Sequence, residues 1–382
     1  IAYHLRRSGL PRPGTEAQLL DLVSRLTSQP LDRERPLWEA YLVEGLADGR
    51  VAVVTKTHPA LVDGLSAIDI GQVLLDVEPD APTPAPDTWV PERPPSGVQL
   101  VWEALDEYVR RPSSAVETVR AAVTDVRSTA ARASGIAGGL LRTARKAVLP
   151  VRHSPLNVPV GRSRRVAVAR VDLDDVKRIR KGHGGTVNDV LLNVGTGALR
   201  EWLLSRGQPV VAGTSVRALV PISMQDDDAV QGSRVSSYLV DLPVGEPNPR
   251  VRLTRLSYAM RGPAAQGRSV GADSLIALTG FAPPTLHALG ARAARGLSRR
   301  LFNLVITNVP GPQVPLYAAG SQMLEVFPVV PLARGQGVSI GMTSYNGRVF
   351  FGLNADLDGV GDVDILADLI EQEVGGLLET LD

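Results

Sequence analysis

From Arg164 to the C terminus the sequence alternates between β-branched runs and helically spaced apolar runs. That alternation restricts the chain to folds in which helices pack on a sheet. "RRVAVARVDL" (164–173) reads as a strand, and "TVNDVLLNVGTGALREWLLSRG" (186–207) as a long helix capped by Thr186 and stopped near Gly207. "VRALVPISM" (216–224) and "SSYLVDLPV" (236–244) are strands, followed by helical stretches to about residue 298. "LFNLVITNVPGP" (301–312) is a strand ending in a Pro-Gly turn. In "GVSIGMTSYNGRVFFGLNAD" (337–356) the pair Asn346-Gly347, the favoured type I′ turn, joins two β-rich arms into a hairpin. A helix over 362–380 closes the chain.

The first 80 residues mix shorter pieces. "TEAQLLDLVSRLTS" (15–28) places Leu19, Leu22, Val23 and Leu26 on one helical face, with Thr15 as N-cap. "RVAVVTKTH" (50–58) is a buried strand running into a loop, and "LSAIDIGQVLLDV" (65–77) reads as a helix. "EPDAPTPAPDTWVPERPPSG" (78–97) is too proline-rich for the interior of either element and reads as a linker. From 98 to 150 the chain is Ala-, Val- and Arg-rich with helical periodicity, as in Val116, Val119, Val123 and Val126. Basic residues exceed acidic ones between Arg110 and Arg152, which suits either a connector helix with solvated charges or a helix on an anionic membrane. The small Ala and Val residues of its apolar face favour the connector. The expected division is therefore 1–80, a linker and basic crossover over 81–160, and 161–382. Ile1 falls inside patterned sequence, so an upstream segment is expected.

With 382 residues, 44% hydrophobic and 21% charged, the chain is long enough for two globular domains. Lys plus Arg (41) nearly balance Asp plus Glu (40), and aromatic residues are only 4%, which argues against a polyanionic or base-stacking partner. The absence of cysteine excludes disulfides, thiolate catalysis and Cys-ligated metal, and no other metal-ligand spacing is present. No apolar run approaches the roughly 20 residues that span a bilayer. "GIAGGLL" (135–141) follows no strand and lacks a Lys-Ser/Thr ending, so it is neither a Rossmann nor a P-loop glycine motif.

Three stretches carry chemistry. "PLDRERPLWE" (30–39) gathers Asp32, Arg33, Arg35, Trp38 and Glu39; "HPALVDG" (58–64) follows a strand; "TVNDVLLNVGTGALREWL" (186–203) opens a helix with Asn188 and Asp189. Each alone has a plain structural reading: Asp32–Arg35 as a surface ion pair, Asp63-Gly64 as a turn, Asn188 and Asp189 as first-turn residues. In this order and spacing, and with "LVPISM" (219–224), "ITNVPGP" (306–312) and "SYNGRVFFGLNAD" (344–356), they resemble the bacterial wax ester synthase/diacylglycerol acyltransferase family. That family belongs to the chloramphenicol acetyltransferase-like superfamily. The resemblance runs from Ile1 to the C terminus, weakly through the middle.

The resemblance implies an α/β (α+β) chain of two chloramphenicol acetyltransferase-like domains, with mixed sheets flanked by helices and a substrate tunnel between them. It implies acyl-CoA as co-substrate with no bound cofactor, and a fatty alcohol or diacylglycerol as acceptor. It also implies cytoplasmic residence with peripheral membrane or lipid-droplet contact. Family enzymes carry His-His-x-x-x-Asp-Gly, whose second histidine is the general base. A near-neutral imidazole suits removal of the alcohol proton and its return to the thiol. Aligned on Asp63-Gly64, the first histidine is His58 and the second position holds Pro59, which cannot accept a proton. The candidate site is then His58, Asp63 and Asn188, supported by Pro59, Gly64, Asp32, Arg33, Trp38 and Asp189. Asp63 is the family's loop-holding aspartate, and Asn188 matches the Asn of its Asn-Asp motif.

Because neighbouring side chains of an extended segment face opposite ways, His58 is expected to point away from where the base belongs. His4, His153, His183 (in a Gly-rich turn) and His287 lie in no catalytic spacing and read as surface or capping residues. Ser233 in "QGSRVS" (231–236) stands where the family tends to have Asn. Three functions remain open: an O-acyltransferase making wax esters or triacylglycerol, a homologue that binds a lipid, acyl-CoA or carrier-protein ligand without turnover, and a specialised-metabolite enzyme that does not use the histidine.

Overall fold

The computed structural model describes residues 1, 3–58, 61, 75–80, 96, 99, 154–224, 234–261, 269–270 and 302–381. Ile1–Ala81 and Leu149–Asp382 make up one compact unit and Pro82–Val148 a second. The basic helical stretch and nearly all of the proline-rich linker lie outside the described residues.

The first unit is α/β, with two mixed sheets flanked by helices. The small sheet has the order β1 (Leu5–Gly9), β2 (Trp38–Glu44), β3 (Ala52–Thr57), with β1 parallel and β3 antiparallel to β2. Helix α1 (Glu16–Ser28) covers one face of it. Thr15 and Gln18 form a reciprocal capping box that starts this helix, as the sequence predicts for Thr15. Leu19, Leu22 and Leu26 then pack on Tyr41, Val43, Ala52 and Val54.

The large sheet has seven strands in the order β4 (Arg164–Asp172), β12 (Arg348–Asp356), β11 (Val338–Tyr345), β8 (Leu304–Pro310), β5 (Val216–Met224), β6 (Arg234–Leu242), β7 (Ser269–Val270). Only the β5–β8 and β8–β11 pairs are parallel. Its helices are α2 (Leu173–His183), α3 (Val187–Ser205), α4 (Pro249–Arg261) and α5 (Val363–Glu379). The main core lies between this sheet and α3 and α5, with Leu199, Trp202, Ile340, Phe351 and Ile370 fully buried. Among the described residues there is also a two-stranded ribbon, β9 (Tyr317–Ala318) with β10 (Ser321–Gln322).

The other face of the large sheet is covered by an extended segment around Pro328. Paired glycines on adjacent strands, Gly341 and Gly352, let it approach: a Cβ on Gly352 would lie 2.1 Å from the Pro328 carbonyl oxygen. The Ser339 hydroxyl and the Asn354 amide both donate to the Val330 carbonyl, at 2.6 and 2.8 Å.

Strand β4 is an edge, and α1 covers it. Ser24 and Ser28, one helical turn apart, accept the Val166 and Arg164 amides at 2.9 Å each. Arg170 reaches Glu16 on α1 and Glu325, and Arg165 reaches Asp21 and Asp364. An edge whose amides are taken up in this way cannot template pairing with another strand.

Three expectations need correction. Leu75–Val77, placed at the end of a helix, are not helical, because Asp76 exchanges backbone hydrogen bonds of 2.8 and 2.7 Å with Tyr317; residues 65–74 of that expected helix lie outside the described residues. Of the helical stretches expected to about 298, α4 covers Pro249–Arg261, whereas Ser269–Val270 form a strand paired with β6; residues 262–268 and 271–301 lie outside the described residues. Strand β6 begins at Arg234, two residues ahead of expectation, because its register is fixed by β5, with Met224 opposite Arg234 and Val216 opposite Leu242. The Asn346-Gly347 turn is as expected, both residues having positive φ (45° and 83°).

Candidate active site

His58 directly follows β3, and its amide donates to the Leu37 carbonyl at 2.9 Å, extending the β2–β3 ladder by one residue. Its carbonyl accepts from the Leu61 amide at 2.9 Å. Along β3, Ala52, Val54 and Lys56 are turned inward while Val53, Thr55 and Thr57 are exposed. By that period His58 falls in register with the inward, α1-side row. Lys56 of the same row donates to the Leu26 carbonyl in the last turn of α1 at 2.9 Å and to the carbonyl of Gln29, its C-cap, and burial holds its ammonium below the ordinary value. Pro59, Asp63 and Gly64 lie outside the described residues, as do Ser233, His153 and His287.

Residues 30–39 form a cluster with the start of the chain. Asp32 and Arg35 are the exposed ion pair expected of them, at 3.3 Å, and Arg33 is exposed. The Glu34 amide, at 3.0 Å, holds the Asp32 carboxyl below its ordinary value. The Arg35 guanidinium sits over the Tyr3 ring at 4.0 Å. Trp38 is stacked on His4 with centroids 4.5 Å apart. His4 is therefore not the surface residue expected: it is 7% exposed, and its Nδ1 is 2.6 Å from the Trp38 carbonyl. A carbonyl only accepts, so Nδ1 carries the proton. Deeper in the same sheet, Glu39 accepts from the Tyr41 hydroxyl at 2.7 Å and from Arg6 at 3.3 Å. Burial, with the Glu39 carboxylate second, pushes the Tyr41 phenol up to about 12.

Asn188 and Asp189 occupy the second and third positions of α3, where the backbone amides of the first turn concentrate positive potential. Asp189, 2% exposed, accepts from Thr186 N–H at 2.8 Å and from the Ser257 hydroxyl at 3.0 Å, while Thr186 Oγ1 accepts the Asp189 amide. Its carboxylate is thus spent on fixing the helix start. Asn188 is half-buried; its Oδ1 accepts from Asn308 Nδ2 at 3.0 Å. The structure thus joins two motifs that lie 120 residues apart in sequence.

Behind this turn lies a buried polar network without a sequence signature. Asn193, fully buried, accepts from Arg252 Nε at 3.0 Å and donates to the Pro249 carbonyl at 3.1 Å. Arg252, 2% exposed, is ion-paired with Glu373 of α5. Gly197 makes room for the pair, since a Cβ there would collide with both side chains. His183 ends α2 and does not sit in a loop; its Nε2 meets Thr380 Oγ1 at 2.7 Å. Among the described residues no cluster of His, Asp and Glu could hold a metal, and no helix is long and apolar enough to cross a membrane.

Residues 1–191 match the profile of the wax ester synthase/diacylglycerol acyltransferase catalytic domain, and 231–377 that of the family's C-terminal domain. A putative diacylglycerol O-acyltransferase of Mycobacterium bovis is 34% identical over 99% of this chain and 79% of its own length. The chain belongs to the wax ester synthase/diacylglycerol acyltransferase family. A probable diacylglycerol O-acyltransferase of Mycobacterium tuberculosis matches at the same identity and coverage. Among solved structures, the wax ester synthase/diacylglycerol acyltransferase of Marinobacter aquaeolei is similar with a TM-score of 0.67 at 28% identity, over 99% of this chain and 80% of that one. A starter condensation domain of rhizomide synthetase shares the fold at 14% identity and a TM-score of 0.52, covering 99% of this chain and 77% of that one. Of the Asn-Asp pair, Asp189 is engaged at the helix start by Thr186 and Ser257, while among the described residues Asn188 is engaged at its carbonyl end by Asn308.

Proposed function

We propose that the chain is an acyl-CoA-dependent O-acyltransferase that moves a fatty acyl group from the CoA sulfur to the hydroxyl of a long-chain alcohol or diacylglycerol. The hydroxyl oxygen attacks the thioester carbonyl and gives its proton to the His58 imidazole. The tetrahedral intermediate then expels the CoA thiolate, which recovers that proton, leaving an ester and free CoA thiol. Asn188 donates to the carbonyl oxygen as negative charge grows on it, assisted by the N-terminal end of α3. Asp63 holds the loop after His58. Acyl-CoA is a co-substrate, and no resident cofactor takes part.

The observation that carries this reading is the retained Asn188 amide at the start of α3, in a chain that matches the family over nearly its whole length. The acceptor is a lipid, so the reading includes contact with a lipid surface, with which the basic excess between Arg110 and Arg152 is compatible. A second reading, a relative that binds these ligands without turnover, draws on Pro59 and on the inward register of His58. Thiol release from palmitoyl-CoA with hexadecanol or diolein separates the two. Turnover that disappears in His58→Ala supports the enzyme, and turnover present only in Pro59→His supports the binding relative.

A further inference from the structure

We propose that Asn308 is a positioning residue that fixes the side-chain amide of Asn188, so that its NH2 end, and not its carbonyl, faces the reacting thioester. The inference rests on the acyltransferase reading, in which Asn188 meets the substrate.

An asparagine amide has two ends of nearly the same shape and opposite polarity, and a half-turn of its terminal torsion exchanges donor for acceptor. At Asn188 one contact makes that choice, the 3.0 Å hydrogen bond from Asn308 Nδ2 to Asn188 Oδ1. With the carbonyl end engaged, both N–H groups of Asn188 are left for another acceptor. Among the described residues none takes them.

Both backbones are held firmly enough for one hydrogen bond to matter. Asn308 lies on β8, which pairs with β11 along this stretch, with Met342 opposite Asn308, and with β5 at Leu304 and Val305. Leu304 and Ile306 of the same strand face are buried in the core that includes α3. Asn308 continues that face by one more step of two residues, up to the first turn of the helix. On the other side, the Thr186–Asp189 capping box and the Ser257 hydroxyl tie down the turn that carries Asn188. The NH2 of Asn188 and the positive end of α3 therefore act in the same sense, toward an oxygen gaining negative charge.

Three Asn308 variants of the full protein separate orientation from mere support. Asn308→Asp is nearly isosteric but only accepts, so Asn188 must turn its NH2 inward and present its carbonyl to the substrate. Asn308→Leu removes the partner and leaves the Asn188 amide free to rotate. Asn308→Ser keeps a donor. With palmitoyl-CoA and diolein, Asp is expected to lower kcat by about 100-fold, with KM for acyl-CoA little changed. Leu should be less damaging than Asp, and Ser should recover part of the loss. An Asn308→Asp variant at wild-type kcat, or a Leu variant as impaired as the Asp variant, overturns the proposal.

A second measurement does not depend on turnover. In protein labelled with 15N-asparagine, the Asn188 side-chain signal is identified by its loss in Asn188→Asp. The proposal predicts that this NH2 exchanges quickly with water in the wild type and becomes protected in Asn308→Asp. Protection already present in the wild type overturns it. A wild type that releases no thiol yet shows the predicted exchange refutes the acyltransferase reading and leaves the fixed amide orientation standing.

Discussion

Ser24 of α1 accepts the backbone amide of Val166 on the edge strand β4 at 2.9 Å, across 142 residues of chain. Its own hydroxyl proton goes to the Leu20 carbonyl at 2.7 Å, so one buried side chain satisfies a strand amide from within a helix. Ser24→Ala leaves the Val166 N–H buried without an acceptor and should cost about 1–3 kcal/mol. Urea denaturation checks this as a lower midpoint at an unchanged slope. A midpoint equal to wild type would show that another acceptor fills the place.

The glycine pair under Pro328 makes a steric prediction. In Gly352→Ala the new methyl group meets the Pro328 carbonyl oxygen, which must move together with the segment that covers the sheet. The expected loss is about 1–3 kcal/mol, the usual range for overpacking a tight site. Gly347→Ala tests a different term: no atom lies within 4 Å of a Cβ there, but the φ of +83° is strained for alanine. Thermal melts of both variants should show destabilisation by these two separate causes.

Arg252 and Glu373 form a buried ion pair, and burial opposes the charge on both: it lowers the pKa of Arg252 and raises that of Glu373. Removing one partner strands the other, so Arg252→Met should destabilise by about 3–5 kcal/mol. Pairing it with Glu373→Leu should recover part of that loss, because no lone charge is then left inside. A double variant less stable than Arg252→Met would contradict a stranded Glu373 charge as a main part of the cost.

Tyr41 gives a pH prediction. Its phenol is raised from 10.0 to about 12 in the folded protein, chiefly by burial. A raised pKa means that the folded state holds the proton more tightly than the unfolded chain does. The associated stability is therefore complete below about pH 10 and is lost as pH rises toward 12. In Tyr41→Phe the decline of stability over that window should be smaller than in the wild type. Equal slopes for the two proteins would contradict the assigned environment.

Local signals in the sequence located most of the strands and helices. The Asn346-Gly347 turn needs two positive φ angles, and few other residue pairs accept them, so the C-terminal hairpin was legible. Thr186 and Thr15 announced their helices because a capping hydroxyl acts within three residues. What the local pattern could not carry was long-range partnership. His4 is buried because Trp38 comes to lie over it, and nothing in "IAYHLRR" records that. Serines at 24 and 28 look like ordinary helix positions until β4 arrives beside them. The candidate site followed the same rule: Asn188 and the "ITNVPGP" stretch were both visible as motifs, while the bond between Asn188 and Asn308 required the fold. Arg252 and Asn193 carried no signal at all, since each is an unremarkable polar residue on a helix until it is buried.

The most direct test of the central claim is thiol release from palmitoyl-CoA, measured for the wild type, His58→Ala and Pro59→His with and without a long-chain alcohol or diacylglycerol. The account predicts that the wild type releases CoA thiol only when an acceptor is present, and that His58→Ala loses this activity. A silent wild type beside an active Pro59→His would contradict it, and would identify a scaffold fit for acyl transfer whose base has been replaced by proline.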